Sequence, residues 1–304
     1  MAHQTPPRYR ADLAILGITV IWGTTFIIVK SALADASTLL FLALRFALAA
    51  VVLGLAFRRS VCKFDKTKPI LIGGAVTGLF LFAGYVLQTV GLRYTTPSKS
   101  AFLTGLSIVM VPVFAAVFER KPPGLSEALG IAIAAIGMGL MTLHRESLSM
   151  DRGDLLTIGC AVAFAVHILL VGHYSPKLGF QALSVVQIAT AALLALGTFW
   201  WVEPPVIRWT PGLISAIVVT GLFATALAFA VQSWAQQYTT PTRTVLFFAM
   251  EPVFAWLTSF AVAGELLSRR AALGAVLILA GILMVELKPV SLPANGRGER
   301  QNAL

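Results

Sequence analysis

The sequence predicts an all-α polytopic membrane protein, with ten transmembrane helices laid out as two inverted five-helix repeats. Three observations predict it. The 304-residue chain is 58% hydrophobic and only 12% charged, with a mean hydropathy of +0.85, whereas an ordinary soluble domain is about 25% charged. Ten apolar runs, each near the roughly 20 residues a helix needs to cross the hydrocarbon core, are separated by short polar connections. One phrase also occurs twice: Gln88, Tyr94-Thr95-Thr96-Pro97 and Lys99 return 144 residues later as Gln232, Tyr238-Thr239-Thr240-Pro241 and Arg243. Five features sharing one offset mark two copies of one unit.

Residues 1–10 form a polar N-terminal tail with Arg8 and Arg10. The first run, Leu13–Val29, has the flanks of a cleavable signal peptide but exceeds the usual apolar region of one. Asp12-Leu13 also has a counterpart in Asp154-Leu155 at the start of the second copy, so the run is read as a retained span. Thr38–Phe57, Ile70–Leu92, Ser98–Phe118 and Leu125–Leu143 complete the first repeat, residues 11–144. Leu155–Val171, Ala182–Val202, Leu213–Ala235, Thr242–Ala263 and Ala271–Leu287 make the second, residues 153–288. Lipid offers no hydrogen-bond partner, so backbone groups must pair within each segment, which selects helices; a barrel would show short alternating strands. Residues 289–304 are polar with Gly and Pro, and read as a disordered tail.

Five spans per copy is an odd number, so the second copy enters the membrane upside down relative to the first. Gly130 and Gly137 match Gly274 and Gly281 at the same offset of 144. Pro112-Val113-Phe114 pairs with Pro252-Val253-Phe254 at an offset of 140, so one copy has gained or lost about a helical turn. With the N terminus inside, 14 Lys and Arg fall in cytoplasmic segments and 8 on the other side. That bias places both termini in the cytoplasm.

The net charge of +10 is of the kind cytoplasmic loops give a membrane protein. No basic run is interleaved with aromatics, so no nucleic-acid partner is expected. Cys62 and Cys160 form no CxxC pair and suggest no metal site. GxxxxGK[ST], GxSxG and HExxH are all missing from the sequence. No catalytic residue and no cofactor is expected, and any transport would run on a solute or ion gradient. Inverted repeats with a site between them are the arrangement of secondary transporters.

The candidate site residues are the polar and aromatic ones inside the runs. Glu251, just before Pro252, is an acid at bilayer depth, which by default suggests a site, here for a proton or a solute; its alternative is to bond backbone freed by Pro252. Arg45, midway along the second span, would hold an anionic group or lock the bundle, with Glu251 as a candidate partner. Lys99 and Arg243, near the starts of spans four and nine, would each contact an anion at a helix start or snorkel to headgroups. Gln88 and Gln232 need hydrogen-bond partners, from a pore or from another helix. His167 is a second titrating group or a bonded core histidine. Trp22, Phe26, Tyr85 and Trp234 would wall a cavity, or pack. Gly74 and Gly78, four apart, suggest close helix contact.

Trp22-Gly23-Thr24, Arg45-Phe46, Pro112-Val113-Phe114 followed by Glu119-Arg120, and Glu251-Pro252-Val253-Phe254 followed by Gly264-Glu265 together resemble the EamA-type transporters of the drug/metabolite transporter superfamily. The likeness covers residues 11–288 and departs from the family at Phe118-Glu119, where Gly-Glu is usual. It implies ten spans in two repeats, in a bacterial inner membrane. It also implies movement of a small molecule, often efflux of an amino acid, metabolite or drug, through a central cavity. It implies no single substrate. The partners expected are therefore a small solute, the lipid bilayer and, through Glu251, protons; a homodimer is left open. An uncoupled facilitator shares the fold. An integral-membrane enzyme, with His167 or Glu251 as acid–base groups, would need clustered polar residues near one headgroup plane, and these are scattered through both halves.

Overall fold

A computed structural model describes residues 8–61, 67–118, 120, 122–143, 151–263, 266 and 268–287. Cys62, Glu119, Gly264-Glu265, most of the N-terminal tail and the whole C-terminal tail lie outside these, as does the side chain of Phe26. Among the described residues every regular element is helical: α1 Arg8–Ala32, α2 Thr38–Ala56, α3 Arg58–Val61, α4 Thr67–Tyr94, α5 Pro97–Gly105, α6 Ser107–Phe118 and α7 Leu125–Thr142 in the N-terminal half. The C-terminal half has α8 Arg152–Leu178, α9 Phe180–Val202, α10 Pro211–Gly221, a π segment Leu222–Leu227, α11 Ala228–Ala235, α12 Pro241–Phe248, α13 Glu251–Ala263 and α14 Arg269–Glu286. A single antiparallel bridge, Ala36 with Ile207, ties the α1–α2 and α9–α10 connections.

Among the described residues, eight helices, counting α5–α6 and α10–α11 as one each, are long and apolar enough to cross a membrane. Their outward faces carry large apolar side chains such as Leu55, Val117, Ile136, Leu155 and Leu193, a surface suited to lipid rather than water. The chain is therefore a polytopic membrane protein. The runs expected as spans nine and ten look different. α12 and α13 have 8 and 13 residues, too short singly; α14 carries Arg269, Arg270 and Glu286 within its 18.

Three expected helices are broken. The Thr242–Ala263 run divides at Ala249-Met250, where the backbone tightens to i→i−3 bonds, Ala249 N to Leu246 O and Met250 N to Phe247 O. Pro252 explains this, because it cannot donate to Phe248 and its ring crowds that carbonyl. The Ser98–Phe118 run divides at Leu106, after Gly105, a poor helix former. Pro112 lies farther along, inside α6, so the break follows the offset of 144 and the proline does not. The third break is the π segment in the Leu213–Ala235 run; local pattern carries no sign of it.

The two halves interlock. α7 packs on α14, α4 on α8 and α9, and α2 on α9. Glycines let backbones meet. A Cβ at Gly130 would lie 2.7 Å from Gly281 O, and one at Gly281 2.5 Å from Gly130 O; Gly137 and Gly274 show 2.6 and 2.4 Å. Each contact is the mirror of the other, as when residue i meets j and j meets i across a two-fold. Gly74 and Gly78 admit Val186 and Gln187 of α9 in the same way. Helix directions follow from such contacts. Gly73 faces Tyr174 and Leu178, while Gly91 faces Gly153 and Thr157, so α4 and α8 run antiparallel. Lys30, near the end of α1, donates to Leu92 O and to Thr95 O, at the end of α4. α1 is thus parallel to α4 and antiparallel to α8.

Candidate functional site

The repeated phrase builds two matching helix starts. Thr96 Oγ1 accepts from Lys99 N at 3.2 Å, and Thr240 Oγ1 from Arg243 N at 3.3 Å. Pro97 and Pro241 follow as first helical residues, where a missing N–H loses nothing. The remaining threonine and the cation go to an acid of the other half. Thr95 Oγ1 donates to Asp154 Oδ1 at 2.9 Å and Lys99 Nζ to Asp154 Oδ2. Thr239 Oγ1 donates to Asp12 Oδ1 at 3.0 Å and Arg243 Nη2 to Asp12 Oδ2 at 3.0 Å. Lys99 and Arg243 are thus buried in ion pairs. Neither lines the central cavity, and neither snorkels.

That cavity lies between the halves, with about 90 Å³ open to the centres of water molecules. A space of that size holds several ordered waters, and so a small solute. α1 contributes Trp22 and Thr25, α2 Arg45, and α4 Tyr85 and Gln88. Across from them stand His167 of α8, Phe229 and Gln232 of α11, Phe248 of α12 and Glu251 of α13. Seven of the candidate residues, Trp22, Arg45, Tyr85, Gln88, His167, Gln232 and Glu251, therefore meet in one place. Trp234 does not; it packs on Tyr238 with ring centroids 5.5 Å apart.

The walls are aromatic and fixed. Trp22 lies against Phe229 and Phe248, centroids 5.5 and 5.0 Å apart. Tyr85 meets Phe46, Phe164 and Phe229 edge-on. The π segment anchors one side: its Ala224 carbonyl accepts from Trp22 Nε1 at 2.9 Å and Arg45 Nη2 at 3.2 Å. Arg45 Nε donates to Thr225 Oγ1 at 2.6 Å, and Nη2 also donates to Tyr85 OH at 3.0 Å. The guanidinium lies 4.5 Å from the Tyr85 ring centroid. These partners replace the suggested pairing with Glu251. A π turn leaves carbonyls outside the regular ladder, and such turns cluster at functional sites.

The other polar groups divide by how fully they are bonded. His167 Nε2 is 2.9 Å from Gln187 Oε1, and Gln187 Nε2 donates to Ser233 Oγ at 3.0 Å. Gln88 Nε2 donates to Thr104 Oγ1 at 3.2 Å. Gln232 Nε2 donates to Gln236 Oε1 at 3.0 Å, but Gln232 Oε1 is buried with no partner among the described residues. The Glu251 side chain likewise has no hydrogen bond or ion pair among them. Gly23 places it: a Cβ there would lie 2.8 Å from Glu251 O, so α1 presses directly on the start of α13. Cys160 is buried, 3.8 Å from Thr104 Oγ1, and no metal-binding cluster occurs among the described residues.

Reading the sequence alone misses the π segment and the partners Asp12 and Asp154. The recurrence of Asp-Leu at the two helix starts was the available signal for the acids.

Fold and cavity together define a polytopic membrane protein with a cavity between two interlocked halves. The chain belongs to the EamA-like transporter family, which matches twice, over residues 9–143 and 151–287. It is 29% identical over 286 residues to an uncharacterized transporter of Archaeoglobus fulgidus, covering 92% of this chain and 87% of that one. It is 24% identical to the uncharacterized inner membrane transporter YedA of Escherichia coli K12, covering 92% of each. The uncharacterized transporter YoaV of Bacillus subtilis is 24% identical over 90% of this chain and 95% of its own. A solved crystal structure shares the fold, with a TM-score of 0.76 at 20% identity, covering 92% of this chain and 98% of that one.

Proposed function

We propose that this protein is a secondary transporter that moves a small metabolite, amino acid or drug-like solute out across the inner membrane by alternating access. In this reading ten spans form two inverted five-helix repeats, with α5–α6 and α12–α13 as broken fourth and ninth spans and both termini cytoplasmic. The reciprocal glycine contacts and the antiparallel α1 and α8 support that symmetry. The observation that carries the reading is the cavity between the halves, lined by Gln232 and by Glu251, whose side chain has no hydrogen-bond or ion-pair partner among the described residues. Buried polar atoms are normally satisfied, and those left over in a cavity suit a ligand.

The solute has an aromatic or apolar body for Trp22, Tyr85, Phe229 and Phe248, and polar ends for Glu251 and Gln232. Glu251 also takes and releases the coupling proton, since an acid inside a membrane marks a proton or solute path. The test is a screen of toxic amino acids and drugs against cells with and without the gene, then efflux of the best hit from proteoliposomes under an imposed pH gradient. Flux driven by the gradient, lost in Glu251→Gln, is expected. Flux that follows only the solute gradient, unchanged by Glu251→Gln, would remove proton coupling and select the uncoupled facilitator.

A further inference from the structure

The two acid–cation clusters stand apart from the cavity and need an explanation of their own. Lys99–Asp154 and Arg243–Asp12 have side chains at most 10% exposed, and a buried charge is tolerable only when paired and hydrogen-bonded. A single staple would serve stability. Two related staples, each joining opposite halves, suggest more. The cations are 144 residues apart and the acids 142, so each pair is the repeat image of the other.

The clusters also lie at opposite ends of the molecule. Lys30 reaches Thr95 O at 3.4 Å, and Thr95 binds Asp154, so the Asp154 cluster is level with the end of α1. Asp12 sits near the start of α1, about 27 Å away along the helix axis at 1.5 Å per residue. The cavity, which touches α1 from Trp22 to Val29, lies between them. Each cluster joins the start of a broken helix, α5 or α12, to the start of an unbroken helix of the other half, α8 or α1. The breaks at Leu106 and Ala249-Met250 give α5 and α12 a joint on which to swing.

We propose that the two clusters are paired latches, one for each mouth of the cavity, and that releasing one opens the cavity to that membrane face while the other stays closed. This rests on the alternating-access reading. Asp12, Asp154, Thr95 and Thr239 are positioning residues, touching one another and the two cations rather than the solute. A buried ion pair suits a latch because its attraction and its desolvation penalty nearly balance; parted in a water-filled mouth, both charges are hydrated. Both latches are closed in this structure.

The experiment uses the full-length protein with Cys62→Ser, Cys160→Ala and a reporter at Thr89→Cys, since Thr89 of α4 lines the cavity one residue after Gln88. A membrane-impermeant thiol reagent bearing a sulfonate is added to right-side-out and to inside-out vesicles. With the N terminus cytoplasmic, Asp12→Asn raises labelling in inside-out vesicles and Asp154→Asn in right-side-out ones. The expected rise is at least about ten-fold, within the roughly 5- to 150-fold range of coupling energies. Thr239→Val and Thr95→Val, which keep the ion pairs, give the same sidedness with a smaller rise. Exchanging the charges, Asp154→Lys with Lys99→Asp, returns labelling toward the parent rate. Equal labelling from both sides, the same side for both acids, or no change in any variant overturns the latches. If gradient-driven flux persists alongside such a result, the latches fail and the transport reading stands.

Discussion

Alanine at Gly274 tests the seam between α7 and α14. Its Cβ would lie 2.4 Å from Gly137 O, 2.8 Å from Met141 N and 3.1 Å from Met141 Cβ. Carbon contacts are optimal near ~3.5–4.0 Å. The two shortest contacts are to backbone, which cannot rotate away as a side chain can. α14 must therefore shift outward by about 1 Å, parting the matching contact between Gly130 and Gly281. Overpacking of this kind costs about 1–3 kcal/mol. Against it, alanine favours a helix over glycine by roughly 1 kcal/mol. Packing outweighs helix preference, and a net loss of up to about 2 kcal/mol is expected. Gly54→Ala in α2 and Gly197→Ala in α9 are the controls, because a Cβ at either meets nothing within 4 Å. Only the helix preference acts there, so each stabilises by up to about 1 kcal/mol. Unfolding in mixed micelles with increasing SDS, followed by tryptophan emission, reads both signs. Gly274→Ala proving as stable as Gly54→Ala would refute the seam.

Three further outcomes are expected. Arg45→Lys loses the planar fork shared by Thr225, Ala224 and Tyr85, and destabilises by about 2–3 kcal/mol in the same unfolding assay; Arg45→Lys at parental stability would show those bonds to be idle. Thr96→Ala and Thr240→Ala each remove one helix cap and lower stability by about 1 kcal/mol; matched losses are expected from matched caps, and a loss in one half alone would break the equivalence. Cys160 is fully buried and reacts with a bulky maleimide only after unfolding, which mass spectrometry of the labelled native protein checks.

Much of this molecule is legible from residue order. Hydropathy locates the apolar helices, and the repeated phrase locates equivalent positions. Gly130, Gly137, Gly274 and Gly281 stand out because their spacing recurs, and they meet reciprocally. Glu251, Arg45, Tyr85 and Trp22 stand out as polar or aromatic groups in apolar runs, and they share a cavity. Lys99 and Arg243 are equally conspicuous, yet they bind Asp154 and Asp12 away from that cavity. A charge in an apolar run announces a partner without saying which. The π segment escapes notice for another reason: Leu222–Leu227 is apolar and helix-compatible throughout, and the extra residue per turn becomes useful only because Trp22 and Arg45 approach Ala224 from other helices.

By itself, the sequence determined which stretches are helical and that the chain is doubled, because solubility in lipid and recurrence are properties readable along a line. The tertiary structure alone decided that Asp12 answers Arg243 across 231 residues, that Arg45 is bonded by the π segment, and that Glu251 lines the cavity. Those outcomes depend on which helix faces lie side by side, and packing across the whole bundle sets that arrangement.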